Sequence, residues 1–292
     1  MRPIRCSILN RQLIIGSSGF IGASLLNLLA ARSHHPEGAY LFDLRAISTT
    51  TFVDIAEHHK LNIAFLCCGH SLVSSSTKLT RDDDIQLSIY IKRYISLVPS
   101  IRAIVLASTA LLACNSAVPN NDYPSDSPLY FYLQAKLHIE SLFLSPLPHS
   151  PSIYCIRFSN VFGKSDLSQN RLIPYLKDCI MNGVPVKLRS SPCAELNLVY
   201  DTYILSKVVD YVYADLACSA IPKLKPLLAA SAYTISLEEL ITVLQVQLEC
   251  TVPPVSYGLN LPRCPKPLSS ESPLLLTREQ LISGLSCTFG DL

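Results

Sequence analysis

Tryptophan is absent from this chain of 292 residues, and methionine occurs only twice. Charge is also scarce. Asp, Glu, Lys and Arg make up 16% of the residues and hydrophobic residues 49%, with a formal net charge of +2. That balance excludes the disordered class, whose members cannot bury enough apolar surface to fold. Lys and Arg are scattered and form no basic block, which argues against nucleic acid as the main partner. No apolar run reaches the roughly 18–20 residues that a bilayer-spanning helix needs. The opening Met1-Arg-Pro-Ile-Arg-Cys6 is too short and too broken for a secretory leader and leads into a strand. Cysteine is plentiful, with 11 residues, but the number is odd, Cys67 and Cys68 are adjacent, and Cys-x-x-Cys spacing is missing. These features argue against a zinc ribbon or a disulfide scaffold. Cys67, Cys68, Cys155, Cys179 and Cys250 read instead as reduced, small apolar core residues of a cytoplasmic protein. The histidines offer no metal cluster, since His34-His35 and His58-His59 are adjacent pairs.

What is present is a regular alternation. Gln12-Leu-Ile-Ile15 is a short apolar run bounded by turn residues, as a buried strand should be. It is followed by Gly16-Ser-Ser-Gly19-Phe-Ile-Gly22 and then a helical pattern. In a strand–turn–helix unit the first glycine permits the tight turn, the second lets a diphosphate approach the backbone, and the third lets helix and strand pack closely. The helix N-terminus then offers free N–H groups to an anion. Ala39–Asp43 reads as the next strand, with Asp43 at its C-terminal end. A carboxylate there accepts hydrogen bonds from an adenosine ribose and favours NAD, whereas Arg45 favours the 2′-phosphorylated NADP; the reading adopted is NAD, with NADP as the alternative.

Strands are expected at Asn62–Cys68, Ile101–Ala107 and Ser152–Asn160, and helices at Thr51–Lys60, Asp84–Val98 and from Ser127 onward. These continuous apolar strands belong to a sheet buried on both faces. The fold class is therefore α/β: a Rossmann-type, doubly wound, mostly parallel sheet with a smaller C-terminal α/β lobe. Residues 1–163, completed by about 196–231, would form the dinucleotide domain, and 164–292 would be mainly a substrate lobe. In such sheets ligands sit over the C-terminal ends of the strands, which places Cys67, Cys68, Gly69, Ala107 and Ser108 among the cofactor contacts.

Tyr132 and Lys136 lie four residues apart on the expected helix, hence on one face. A phenol with an ammonium one turn away is suited to moving a proton to or from an alcohol or ketone. Surface Tyr–Lys pairs are common, so the other motifs supply the weight. In order, these are Gly16-x-x-Gly-Phe-Ile-Gly22, Ser108-Thr109, Tyr132-x-x-x-Lys136, Arg157-Phe-Ser-Asn-Val-Phe-Gly163, Leu198-Val-Tyr-Asp201 and Thr234-Ile-Ser-Leu-Glu-Glu239.

Together they resemble the extended short-chain dehydrogenase/reductases, the NAD-dependent epimerase/dehydratase family, over roughly residues 10–250. The resemblance implies a Rossmann domain binding NAD or NADP through Gly16, Ser18, Gly19, Phe20, Ile21, Gly22, Asp43 and Arg45, with the strand ends named above. It implies Tyr132 as acid/base, Lys136 on the nicotinamide ribose and Thr109 on the sugar oxygen. It also implies hydride transfer at a sugar carbon, often C4, of a nucleotide-diphosphate sugar. Ser71, Ala110, Asn160, Arg171 and Arg263 are the expected substrate contacts. Dehydratases of the family place Asp-Glu directly after the catalytic Thr, where this chain has Ala110 and Leu111. Reductases that also epimerise at C3 and C5 carry a Cys at the position of Ala110. A 4-ketoreductase or 4-epimerase is therefore the reading. The family's diphosphate-binding Arg is replaced within Ala194-Glu-Leu-Asn197, leaving Arg171, Arg189, Arg263 and Lys266 to take its part. The resemblance also implies a homodimer through helices near 84–98 and 129–145. The alternatives are a reductase of another carbonyl compound and a catalytically silent Rossmann module that binds the dinucleotide.

Overall fold

The structure, a computed structural model, describes residues 5–9, 11–33, 40–69, 75–114, 125–145, 147–168, 170–218, 224–247, 249–259 and 272–290. The chain forms two units: Met1–Arg157 with Leu205–Leu227, and Phe158–Ile204 with Leu228–Leu292.

In the first unit the expected strands appear as β2 (Gln12–Ile15), β3 (Tyr40–Asp43), β4 (Ile63–Leu66), β5 (Ala103–Thr109) and β6 (Ser152–Phe158). Before them comes one more, β1 (Arg5–Leu9). With β11 (Leu224–Ser231) and β14 (Leu275–Leu276) they make a mostly parallel eight-stranded sheet in the order β14-β11-β6-β5-β4-β2-β1-β3. β2, β4 and β5 pair in parallel with Ile15 beside Leu66 and Leu66 beside Leu106. Every residue of β2 and β4 is buried, as their unbroken apolar sequences require.

β1 departs from the expected order. It pairs antiparallel with β2 on one side and with β3 on the other, so the strand carrying Asp43 does not touch the strand that feeds the glycine turn. Leu9 stands opposite Gln12, and Arg11 makes the hairpin turn in the left-handed region at φ 67°.

Helices cover both faces of this sheet. Cys6, Leu13, Ile15, Leu66 and Ile104 pack with Phe52 of α2 (Thr49–His58), Ile91 of α3 (Lys78–Ile95) and Phe143 of α5 (Pro128–Leu144). Alternation sends the side chains between them to the opposite face. There Gln12 hydrogen-bonds Tyr213, and Tyr154 donates to Asp215 at 2.8 Å, both partners lying on α7 (Asp201–Cys218). Arg32, in the last turn of α1 (Phe20–Arg32), pairs with Asp210 of α7 at 2.7 Å. A short helix, α4 (Leu111–Cys114), follows β5.

The second unit is built from shorter pieces. β7 (Asn160–Phe162) pairs with β10 (Leu198–Tyr200), β8 (Val186–Lys187) with β13 (Val255–Ser256), and β9 (Glu195–Leu196) with β12 (Ile235–Ser236). Phe162, Leu198, Tyr200 and Ile235 share a core with α6 (Leu172–Asn182), α8 (Leu237–Thr242) and α9 (Arg278–Phe289). A π-helical turn, Val243–Gln247, follows α8. Asn197, fully buried, staples this unit internally. Its Oδ1 accepts from Ser159 Oγ and Ser231 N, and its Nδ2 donates to Ser231 O, each at 2.8 Å. Among the described residues no helix is long and apolar enough to cross a membrane.

Candidate active site

The glycine turn separates packing requirements from an opening. Gly16 has φ 87°, and a Cβ there would lie 2.8 Å from the backbone of Cys67 and Cys68. A Cβ on Gly22 would come within 2.2 Å of Gly16 O. Neither position admits a side chain. Gly19 differs: its φ is −80°, and the nearest atom to a Cβ would be Gly16 O at 3.4 Å, an ordinary contact. The protein itself does not require glycine there. Gly19 is also the N-cap of α1 and supplies no side-chain hydrogen bond, whereas Ser48, Thr77, Ser127, Ser236 and Thr277 cap α2, α3, α5, α8 and α9 with their hydroxyls. An uncapped helix N-terminus fronted by a space that one side chain would fill fits a dinucleotide's diphosphate. Ser18 and Gly19 are exposed, and Phe20 and Ile21 are half-buried.

The next strand ends lie beside this turn. Cys67 donates its N–H to Ile15 O at 2.8 Å, and Gly69 has φ 100° with the Asp84 carboxylate beside it. Burial pushes the Cys67 thiol up to about 12, with the neighbouring Cys68 adding to the shift and Lys136 opposing it. Burial likewise raises Cys68 to about 11 against the pull of Lys136. At neutral pH both remain uncharged thiols and line the site without acting as nucleophiles.

β5 ends in two hydroxyls with different surroundings. Ser108 Oγ donates to Glu140 Oε1 at 2.6 Å, and Arg157 holds the same carboxylate through Nε at 3.1 Å and Nη2 at 2.7 Å. Thr109 is buried and its Oγ1 accepts the Leu111 N–H at 3.3 Å. Successive strand residues face opposite ways, which is why one hydroxyl is tied into this ion pair and its neighbour is not.

α5 brings the remaining groups in. Ser127 caps it and Pro128 occupies its first turn, where a missing N–H costs nothing. Tyr132, Lys136 and Glu140 follow at four-residue spacing along one side. Tyr132 is half-buried, Lys136 is 7% exposed, and the Lys136 ammonium lies 5.7 Å from the Tyr132 ring centre. Among the described residues no hydrogen bond or ion pair takes that ammonium. A cation so deeply placed calls for an acceptor, and a ligand oxygen would supply one.

Asp43 ends β3 and Arg45 follows it, exposed. Asp43 Oδ1 accepts the Arg45 N–H at 3.0 Å, closing a local turn. The first unit thus gathers Gly16, Ser18, Gly19, Phe20, Ile21, Gly22, Cys67, Cys68, Gly69, Ala107, Ser108, Thr109, Tyr132 and Lys136 at the C-terminal ends of β2, β4 and β5 and on α5. Asp43 and Arg45 stand one strand further out. Ala110, just past β5, is 1% exposed.

Two expected substrate residues lie in the second unit. Asn160 is exposed at the start of β7, with its N–H donated to Asn197 O at 3.1 Å. Arg171 is the N-cap of α6 and reaches Asp166 Oδ2 at 3.3 Å. Burial raises the Asp166 carboxyl above the usual range despite that guanidinium. Ser71 and Arg263 fall outside the described residues. Glu140 and Arg157 were not singled out from the sequence for the parts they play, nor was Arg5 at the start of β1. Glu140 had a signal, its spacing of four from Lys136; Arg5 had none.

No protein-family model and no curated protein sequence matches the chain. Solved structures share its fold. A NAD-dependent NDP-hexosamine 5,6-dehydratase involved in tunicamycin biosynthesis is 20% identical, with 95% of each chain covered and a TM-score of 0.68. A UDP-glucuronic acid 4-epimerase from Bacillus cereus, solved with NAD and a fluorinated substrate analogue, is 12% identical over 94% of this chain and 96% of its own, with a TM-score of 0.70. A UDP-N-acetylglucosamine 4-epimerase from Methanobrevibacter ruminantium is 16% identical over 94% and 95%, with a TM-score of 0.65. At these identities the likeness is one of fold.

Proposed function

We propose that this chain is a NAD-dependent enzyme that transfers hydride at a sugar carbon, C4, of a nucleotide-activated sugar. The observation that carries the reading is the face of α5. It holds a half-buried phenol and, one turn on, a buried ammonium that no described residue neutralises, beside a glycine turn open to a diphosphate. The structures that share the fold, a NAD-dependent NDP-hexosamine 5,6-dehydratase, a UDP-glucuronic acid 4-epimerase solved with NAD and a UDP-N-acetylglucosamine 4-epimerase, support NAD and a nucleotide sugar as the ligands.

In this reading Gly16, Ser18, Gly19, Phe20, Ile21 and Gly22 hold the diphosphate. Cys67, Cys68, Gly69, Ala107 and Ser108 line the bed between the adenosine and nicotinamide ends, and Asp43 and Arg45 stand toward the adenosine ribose. The bound nicotinamide supplies or accepts the hydride. Tyr132 takes the proton from the sugar hydroxyl or returns it to the ketone. Lys136 holds the nicotinamide ribose and supplies positive charge beside that phenol. Thr109 hydrogen-bonds the reacting sugar oxygen. Asn160 and Arg171 belong to the substrate-binding unit, Arg171 with part of its charge already committed to Asp166. Elimination is not part of the proposal, because Ala110 and Leu111 offer neither acid nor base. α3 and α5, which leave Leu79, Ile89 and Leu144 exposed, are the proposed homodimer surface.

The test is a panel of 4-keto and 4-hydroxy sugar nucleotides with the purified chain. Stoichiometric loss of the reduced nicotinamide's absorbance identifies a 4-ketoreductase, and interconversion of 4-isomers without net loss identifies a 4-epimerase. Dinucleotide binding with no turnover on any member would overturn the sugar-nucleotide assignment.

A further inference from the structure

We propose that Arg5, delivered by the inserted strand β1, governs the adenosine end of the dinucleotide site and makes it accept a 2′-phosphate. The inference rests on the dinucleotide reading above and goes beyond it to a residue and a discrimination.

In a doubly wound sheet, the side chain that reads the ribose sits at the C-terminal end of the strand beside the glycine-turn strand. In this chain that neighbour is β1, which runs the other way, so its first residue, Arg5, stands at that edge. The placement is tight: Arg5 O accepts the N–H of Gly16 at 3.0 Å and of Ser17 at 3.2 Å. Asp43 is moved outward by one strand. With neighbouring strands about 4.7–4.9 Å apart, β3 lies on the order of 10 Å from β2 instead of about 5 Å.

Arg5 also faces Asp43. The two are directly opposed in the antiparallel register, so their side chains leave the same face of the sheet, with Cβ atoms about 4.5–5.5 Å apart. Cys6 and Ile8 point into the core with Phe52 and Ile91, which puts Arg5 on the other face, the one α1 covers. Arg5 is exposed, and Arg45 is an exposed second guanidinium two residues after Asp43. A lone carboxylate at this end would repel a 2′-phosphate. Here Arg5 stands opposite that carboxylate in the strand register and Arg45 follows it by two residues, and the planar forks of both guanidinium groups match phosphate oxygens. Asp43 already accepts a hydrogen bond from the Arg45 backbone.

The experiment is direct binding, followed by calorimetry on the full chain with NAD and NADP, and with 2′-AMP and 5′-AMP as probes of the adenosine end alone. The unmodified protein is expected to bind NADP within about tenfold of NAD. Arg5→Gln is expected to weaken NADP and 2′-AMP by about ten- to a hundredfold while leaving NAD within about threefold. Arg5→Lys, which keeps the charge but not the fork, should fall between, and it keeps the test available if Arg5→Gln does not fold. Unmodified protein that binds NAD at least about a hundredfold more tightly than NADP overturns the proposal but spares the dinucleotide reading. So does a loss on substitution that is equal for both dinucleotides. Binding of neither dinucleotide overturns both.

Discussion

The two units solve the same packing problem differently. The first uses longer strands and gathers the candidate site at their ends, with one ionic clamp, Ser108–Glu140–Arg157, tying strand ends to α5. The second uses strands of two or three residues in separate pairs, gathered around one apolar core and stapled by the neutral amide of Asn197. A charged clamp in the first unit fixes the helix that carries Tyr132 and Lys136. An amide clamp in the second fixes backbone crossings and carries no charge toward any ligand.

That contrast can be broken in order of expected effect. Tyr132→Phe should lower turnover by about 10²–10⁴-fold while leaving dinucleotide affinity and melting temperature unchanged. Turnover within a few-fold of the unmodified enzyme would remove Tyr132 from the chemistry. Glu140→Ala strands Arg157 in a largely buried position and should cost about 3–5 kcal/mol in urea unfolding. Asn197→Ala leaves the Ser231 N–H and C=O unpaired at about 1–3 kcal/mol each. The two losses are expected to be of comparable size, and a loss below about 1 kcal/mol at either would show that it clamps nothing.

Within the first unit, Gly22→Ala forces a Cβ toward Gly16 O and should cost about 1–3 kcal/mol. Gly19→Ala should stay within about 1 kcal/mol of the unmodified protein yet weaken NAD binding, since only the ligand needs that space. Equal stability losses at the two glycines would undo the distinction.

The smallest effect is in the second unit. Burial holds the Asp166 pKa above its unfolded value, so protonation favours the folded state. Its contribution is present below the unfolded carboxylate value near 3.9 and is lost as pH rises through the folded value. Asp166→Asn should therefore flatten stability against pH in the window just above about pH 4, which denaturant midpoints across that range would show.

The same contrast explains what could be read from the sequence. Ile63–Leu66 and Ala103–Leu106 are unbroken apolar runs, and a run of that kind between turns has few alternatives to a buried parallel strand. The glycine turn and the Tyr132–Lys136 pair were legible because their spacing is itself the geometry. Two-residue strands such as Glu195–Leu196 and Leu275–Leu276 have no room to show a period of two, so the pattern loosens where they occur. β1 was hidden for another reason. Arg5-Cys-Ser-Ile-Leu9 mixes polar and apolar residues, and its hairpin lacks the Asn-Gly or Asp-Gly pair that usually announces one. Ser108 and Thr109 were legible as a strand-end pair, but which hydroxyl would be consumed by Glu140 depended on a helix that closes over them 32 residues later.

The polypeptide passes from one unit to the other between Arg157 and Phe158, again between Ile204 and Leu205, and a third time within β11 between Leu227 and Leu228. Neither half can therefore be excised as a continuous fragment. A truncation ending near residue 157 would discard all of α7 and of β11, and with them the partners of Arg32, Gln12 and Tyr154. Separating the two units would require a circular permutation or a spliced linker, because the gene does not store the two bodies in separable stretches.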